Sequence, residues 1–505
     1  MSADITLRKG LTIPARGTAD LNISSADSAD NFVIYPHDFH GVVPNITFAK
    51  QKQPPMSADI TLRKGLTIPI SGTADLNISS ADSADNFVIY PHDFHGVVPR
   101  MLLREGEVML QGQPIFYSKA NPEIKFVSPV SGTLTKIERG AKRRIMSLSI
   151  SSDGKNEAFT HNLENLDKLE AADVKKHLLE SGCWPLVKQR PYDVIADPDS
   201  TPKAIFISGF STAPLAADVP FILSSQKEDF QTGINALAKL APKVHLSVDA
   251  SSTSFMTEVS NAEIHRVKGQ HPAGNVGVQI HHIDPVNAGE TVWVVGPADV
   301  ARIGIFFSTG IFDASQMIAV VGPVVKSPSY FKSRIGAAVT PLLKKAGINA
   351  AGQIRVINGD SLSGTATNAD GNLGYYNNTL TVLVEGNRYR MFGWLPFAGS
   401  KIFSMSRTSL SWILPKRTYA LDTNMNGEER ALVVTGEMEQ VLPMDIFPMQ
   451  LIKACMVQNI EKMEGLGIYE VAPEDFALVD YASSSKIEAQ AIIREALDLM
   501  IKEVG

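Results

Sequence analysis

The chain has 505 residues, enough for roughly three domains of about 150 residues each, and its 44% hydrophobic and 20% charged residues are ordinary for a globular protein and unlike disorder. A formal net charge of −6, with no long run of either sign, gives no nucleic-acid or anionic-membrane surface. Two cysteines, Cys183 and Cys455, cannot build a disulfide framework or a four-thiolate metal or iron–sulfur site.

No stretch reaches the ~18 consecutive apolar residues of a bilayer-crossing helix. The longest apolar run, "MIAVVGPVV" at 317–325, is interrupted by Gly and Pro. The start has no basic region followed by an apolar one, so no secretory signal is expected and a reducing, cytoplasmic setting is the default.

Residues 1–44 and 56–99 agree at 42 of 44 positions, differing only where Ala15 and Arg16 face Ile70 and Ser71. Stacked repeats keep their apolar pattern while their surfaces drift, and they come in three or more copies. Here two copies match on the solvent-facing positions too, so residues 1–55 are read as a duplicated leader and the functional chain as starting at Met56. The leader has only the first half of the strand pattern that runs to Ile150 and is expected to have no core of its own.

From Ile60 to Ile150, short apolar runs alternate with Gly-containing turns, which predicts a small β-barrel or sandwich. Its clearest part, "EGEVMLQGQPIFYSKANPEIKFVSPVSGTLTKIERGAKRRIMSLSI" at 105–150, resembles the biotinyl/lipoyl-like barrel-sandwich hybrid fold. Carrier domains of that fold present a modified lysine on a hairpin, and Lys119 stands near that place. No acidic-Lys-Ala or Met-Lys-Met sequence flanks it, and the stretch to Pro129 is long, so an unmodified surface lysine is the expectation.

"EAADVKKHLLES" at 170–181 predicts a helix closed by Gly182. Strand-like "AIFISGF" (204–210), helix-like "EDFQTGINALAKL" (228–240) and the strand-like runs at 243–251 and 291–296 come next, the alternation of a mainly parallel α/β layer. Residues 330–397 return to a mixed, Gly-rich pattern with strands in "GQIRVINGD" and "LTVLVEGNRYRMFGW". Residues 440–505 read as helical, the last helix opening with a capping box from Ser485 to Glu488.

The phosphate-cradling patterns G-x-G-x-x-G and G-x-x-x-x-G-K-[ST] are absent, as are H-E-x-x-H and G-x-S-x-G. The most distinctive segment is "HPAGNVGVQIHHIDP" at 271–285. His271, His281, His282 and Asp284 are metal-ligand types, but neighbouring His281 and His282 would point to opposite sides of a strand. A rigid loop shaping a partner or ligand surface, with His271, Pro272, Gly274 and Asp284 as the candidate residues, and a plain structural connection both remain. "GDSLSG" (359–364) and "FKSRIGAAV" (331–339) could hold an anion or be solvated turns. Glu474 and Asp475 after Pro473 read as a helix start with acidic residues in its first turn.

Several strings together resemble a known family: "ITLRKGLTIPISG", "FHGVVPRMLLREGEVMLQGQPIF", "HPAGNVGVQIHHIDPVNAGETVW", "IGAAV" with "RVINGDSLSG", and "GEMEQVLPMDIFPMQL". They are similar, in the same order across 56–505, to the NqrA family of Na+-translocating NADH:quinone oxidoreductases. The resemblance implies a peripheral protein on the cytoplasmic face of the bacterial inner membrane, in a six-protein respiratory pump that oxidises NADH, reduces quinone and exports Na+. It implies docking onto the other members of that complex, chiefly the membrane-embedded NqrB, a possible quinone contact and no nucleic-acid partner.

The family's relatives, the electron-entry protein RnfC of the Rnf complex and the flavin-carrying NADH-binding protein of respiratory complex I, imply a multidomain α/β plus β architecture. Its parts would be a leader (1–55), a barrel-sandwich hybrid (56–155), a Rossmann-like α/β domain (156–328), a β-grasp domain of the soluble-ligand-binding type (329–435) and a helical C-terminal domain (436–505). Those relatives bind flavin through a Gly-rich loop just after the helix that here ends at Gly182, and hold iron–sulfur clusters on cysteines of the helical domain.

In this chain residues 183–208 contain no glycine, and the matching helical segments carry Glu, Pro, Phe, Leu and Ser in place of cysteine. The expectation is therefore a scaffold with no cofactor and no catalytic, cofactor-binding or metal residues of its own, the NADH, flavin, iron–sulfur and quinone chemistry residing in other subunits. Two other readings are an electron-entry protein like RnfC and a lipoyl or biotin carrier modified at Lys119.

Overall fold

The structure, a computed structural model, describes residues 4–7, 11–14, 60–81, 84–386, 402–405, 409–414 and 416–504. The chain divides into two units, Met1–Ala58 and Asp59–Gly505. In the first, Asp4–Leu7 and Leu11–Pro14 form an antiparallel hairpin, with Asp4 opposite Pro14 and Leu7 opposite Leu11.

The same residues in the second copy pair quite differently. Ile60–Thr61 joins a large sheet parallel to Val267 and Lys268, and the Leu66 N–H donates to the His271 carbonyl. Long-range partners, rather than local preference, decide what this sequence does.

Two small sheets come next in the larger unit. One has four strands in the order Asn86–Ile89, Ile145–Ser152, Gly132–Arg139, Val108–Met109; the other has three, Pro99–Met101, Pro114–Ser118 and Lys125–Val127. Alternate side chains point inward, as period-2 strands require. Phe87, Ile89, Leu134, Leu148 and Ile150 come from one sheet, and Phe116 and Phe126 from the other. The rings of Phe116 and Phe126 stack at 4.4 Å, and Phe94 closes against both.

The helix Ala171–Ser181 ends as expected at Gly182, whose φ of +77° suits a residue without Cβ; a Cβ there would strike the Val127 side chain. It leads into a seven-stranded sheet ordered Val194–Ile195, Val187–Arg190, Val292–Val295, Ile205–Ser208, Val244–Asp249, Glu263–Lys268, Ile60–Thr61. From Val292–Val295 to Ile60–Thr61 every neighbouring pair is parallel.

The alternating residues of Ile205–Ser208 face two separate cores. Ile205 and Ile207 join the main core, which also holds residues of the helices Lys227–Leu237 and Pro297–Thr309. Phe206 faces the helix Val276–Ile283 through Ile280. Lys227–Leu237 and Pro297–Thr309 touch backbone to backbone, because a Cβ on Gly233 would meet the Val300 carbonyl and one on Gly304 the Asp229 carbonyl.

A second mixed sheet, ordered Thr365–Thr367, Ile354–Asn358, Thr379–Val384, Ser315–Val321, Ser329–Arg334, Ile78–Ser79, carries the next part of the chain. Its hairpin of Ser315–Val321 with Ser329–Arg334 runs across residue 328. The expected strand in "LTVLVEGNRYRMFGW" is seen as Thr379–Val384; residues from 387 on lie outside the described ones.

Five helices close the chain: Glu437–Val441, Pro448–Met456, Ile460–Gly465, Ala477–Ala482 and Ala489–Glu503. The last does not use Ser485 as its cap. Asp480 Oδ1 accepts the Ala489 N–H, while the Ser485 hydroxyl donates to the Ala431 carbonyl.

Candidate functional site

Open parallel sheets bind ligands outside the carboxyl ends of their strands, where successive connections leave in opposite directions. In this sheet the divergence lies between Ile205–Ser208 and Val292–Val295. The chain runs outward from the first through Val244–Asp249 and Glu263–Lys268, then returns to the other side for the second. The returning segment is 269–284, so the sequence's most distinctive stretch crosses the edge where a ligand would be sought.

There it folds onto its own chain. Ser208, the last residue of its strand, donates to the Gly274 carbonyl at 2.9 Å and accepts from Gln279 Nε2 at 2.9 Å. Gly274 N–H donates to Thr212 Oγ1 at 2.9 Å, and His271 Nδ1 stands 3.2 Å from the same oxygen. Gly274 has no room for a side chain: a Cβ would stand 2.6 Å from Thr212 N.

The His271 carbonyl accepts from Leu66 N–H. His271 is 3% exposed, and burial pulls its imidazole down to about 4, so it is neutral at pH 7. Its Nε2 is buried without a hydrogen-bond partner.

Of the four residues singled out by sequence, His271, Pro272 and Gly274 thus come together in one inward-facing clasp. Asp284 lies apart at the far end of the helix. Its carboxylate holds Lys203 Nζ at 2.6 Å, and Lys203 also reaches Glu290 at 2.9 Å. Burial would lower the Lys203 ammonium, but the two carboxylates reverse that and hold it above its ordinary value.

His281 and His282 sit in the last turn of the helix Val276–Ile283 rather than on a strand. Both turn to the C-terminal helices: His281 Nδ1 donates to Glu470 at 2.7 Å while its Nε2 accepts from Asp445 N–H, and His282 Nε2 donates to the Pro443 carbonyl at 2.8 Å. Asn275 Nδ2 adds a hydrogen bond to the Glu474 carbonyl. The histidines act as a lock between the seven-stranded sheet and the C-terminal helices.

Sequence reasoning did not single out Arg190, which carries the strongest link in the same contact. Its guanidinium is 2% exposed and reaches Asp475 at 2.7 Å and Glu474 at 2.6 Å. Burial alone would pull it down, but the carboxylates more than compensate and it stays cationic. A lone arginine in a strand gives no sequence signal. Ser208 and Thr212 were missed too, although the carboxyl end of a parallel strand is where a binding edge is sought.

Other sequence candidates are self-satisfied. Asp360 accepts from the N–H groups of Leu362 and Ser363 and from the Ser363 hydroxyl, so the 359–364 turn is closed on itself. Lys119 is exposed in the turn between Pro114–Ser118 and Lys125–Val127, its N–H bound to the Val98 carbonyl. Residues 183–187, which open the glycine-free stretch 183–208, are buried. The Trp184 indole donates to the Ala196 carbonyl and packs edge-on against Trp293.

Residues 60–153 match the NqrA N-terminal barrel-sandwich hybrid domain, 169–312 the NqrA second alpha/beta domain, and 317–369 the NQRA C-terminal domain. Over 450 residues the chain is 36% identical to the NqrA protein of the Na(+)-translocating NADH-quinone reductase of Haemophilus influenzae strain PittGG, covering 88% of this chain and 100% of that relative. The chain belongs to the NqrA family.

Two further NqrA relatives, from Marinomonas sp. strain MWYL1 and Pasteurella multocida strain Pm70, are 36% and 35% identical over 88% of this chain and 99% and 100% of theirs. The N-terminal barrel-sandwich hybrid expected from sequence is the NqrA one. Among solved structures, an air-oxidised NAD+-reducing [NiFe]-hydrogenase overlaps 67% of this chain and 64% of its own, with 11% identity and a TM-score of 0.34. That overlap is too loose to bear on fold or function. No helix among the described residues is long and apolar enough to cross a membrane.

Proposed function

We propose that this chain is the peripheral NqrA component of a Na+-translocating NADH:quinone reductase and serves the complex as a scaffold on the cytoplasmic face of the inner membrane. One observation carries the reading: the match to an NqrA relative covers 88% of this chain and the whole length of that relative. In this reading the parallel part of the seven-stranded sheet belongs to a Rossmann-like domain, and the six-stranded sheet to a β-grasp domain whose hairpin already begins at Ser315 rather than after residue 328.

The chain itself carries no catalytic centre in this proposal, and flavin and clusters belong to other subunits. Two features support that. The segment where flavin would be cradled is lined by buried Trp184, Pro185 and Leu186, whose side chains keep a phosphate from the backbone. The sequence's two cysteines are too few for a cluster.

The segment 271–284 fixes the C-terminal helices against the sheet, which suits a rigid docking surface for the membrane-embedded NqrB. Expression with the other subunits tests this. Co-purification, and loss of Na+-dependent NADH:quinone reductase activity when this chain is omitted, are expected; a complex that assembles and turns over without it defeats the proposal.

A second reading, that quinone touches this chain, has one observation in its favour. The neutral, buried His271 leaves Nε2 without a partner, the type of group that donates to a quinone carbonyl. A photoreactive quinone analogue that labels 269–284 supports it; labelling confined to other subunits removes it.

A further inference from the structure

The face of the seven-stranded sheet that carries Phe206 also gathers three ligand-type side chains from two neighbouring strands. The parallel register sets His245 beside Glu263 and Ser247 beside His265. With a side-chain period of two, His245, Glu263 and His265 all project from that face, while Leu246 and Val248 point to the other core. The three lie at the start of their strands, at the opposite edge of the sheet from the 271–275 clasp.

We propose that His245, His265 and Glu263 form a binding site for a zinc-class divalent cation. One donor atom from each lies within 4.8 Å of the other two. His245 Nδ1 is 2.9 Å from His265 Nε2 and 3.5 Å from Glu263 Oε2. A tetrahedral zinc with ligands at about 2.0–2.2 Å sets its donor atoms roughly 3.3–3.5 Å apart, so sub-ångström shifts seat the ion. Two imidazoles and a carboxylate suit zinc and its neighbours and not calcium or magnesium, which require oxygen sets.

The surroundings favour lone-pair donors. Burial against Phe206, whose ring stacks on His245 at 4.8 Å, lowers the imidazole to about 4, and burial also lowers His265; both are neutral at pH 7. With the shared hydrogen on His265 Nε2, His245 presents the bare Nδ1 a metal requires. Binding asks only that His265 move its hydrogen to its own Nδ1.

Lys243 Nζ lies 3.7 Å from Glu263 Oε1, which leaves Oε2 turned toward the imidazoles and orients the carboxylate as an outer-shell partner does. Glu263 is 45% exposed, so the fourth position opens to water. The ion would clip two strands whose connection is the 250–262 loop.

The test uses the full chain, stripped with a chelator and titrated with Zn2+ in competition with a chromophoric chelator. One Zn2+ per chain is expected. His265→Gln and Glu263→Gln should each weaken it by at least about tenfold, since even outer-shell changes cost 10–100-fold. Metal-free melting temperatures should be unchanged, and the rise on adding Zn2+ should vanish in both variants. His92→Gln, at an exposed histidine elsewhere, should bind as the parent does. Absence of stoichiometric binding, equal affinity in the parent and both variants, or an equal loss in His92→Gln overturns the proposal.

Discussion

Arg190 and Asp475, 285 residues apart in the chain, meet at 2.7 Å with 2% and 0% of their side chains exposed. Asp475 also accepts the Ala472 N–H, and Gly277 passes so close that a Cβ on it would strike both charged groups. The ion pair is therefore the pin on which sheet, helix and C-terminal segment turn together.

Removing one member should be far worse than removing both. Arg190→Met strands a buried carboxylate, and a loss of about 3–5 kcal/mol is expected in denaturant unfolding. Arg190→Met with Asp475→Leu should recover much of it, though not all, because the Ala472 N–H loses its acceptor. A double variant no better than the single would show that the pair contributes by its charge rather than by avoiding an unpaired one.

His271 makes stability depend on pH in a definite direction. Its imidazole falls from an ordinary 6.5 to about 4 in the folded chain through burial, so between those values the unfolded chain binds a proton that the folded chain refuses. The stabilisation is complete above 6.5 and is lost as pH falls toward 4, amounting to roughly 3 kcal/mol. Asp480 opposes it. Burial raises that carboxyl from 3.8 to about 6, and its contribution is lost as pH rises through the same region. The comparison must therefore be variant against parent at each pH. His271→Asn should be less stable at pH 7, and the gap should narrow steadily toward pH 4.5; a gap independent of pH would place the imidazole in water.

Much of the fold was legible where local and long-range signals agree. The helix before Gly182 and the strand Ile205–Ser208 fall where apolar spacing and punctuation put them. The helix Val276–Ile283 was hidden because "VGVQI" alternates as a strand does, and only the packing of Ile280 on Phe206 shows otherwise. The acidic pair after Pro473 was legible as a helix start but not as Arg190's partners, because nothing local marks a contact between Arg190 and Asp475, 285 positions apart. The clasp residues were found through their Pro and Gly, whereas Ser208, Thr212 and Gln279, which hold them, are common residue types whose pairing is set only in three dimensions.

Gly274→Ala tests how tightly the clasp closes. The added Cβ would stand 2.6 Å from Thr212 N and 2.9 Å from Ser211 Cα, both backbone atoms with little freedom to yield. Overpacking of this type destabilises by about 1–3 kcal/mol. The same variant should leave the barrel-sandwich unaffected, so hydrogen exchange should quicken around 205–212 and 269–280 and stay level across 132–152. Uniform quickening would mean that the whole unit opens at once.

The near-identity of residues 1–44 and 56–99 poses a competition that two magnitudes decide. For residues 31–34 to replace Asn86–Ile89 beside Ile145–Ser152, the loop to be closed is about twice as long, which costs only about 0.6 kcal/mol. The two differing positions count for more. Ile70 is 9% exposed and bridges Tyr419, and the Ser71 hydroxyl donates to the Tyr419 carbonyl, whereas the leader offers Ala15 and Arg16. Truncating a buried isoleucine to alanine costs about 2–5 kcal/mol, so the copy at 56–99 holds its place by its side chains more than by its nearness. Deleting residues 1–55 should leave the melting temperature and assembly unchanged. Replacing Ile70 and Ser71 by Ala and Arg in the full chain should lower the melting temperature and produce two populations in native-state proteolysis. A large fall on deletion, or a single population after the replacement, would mean that the leader contributes to the fold.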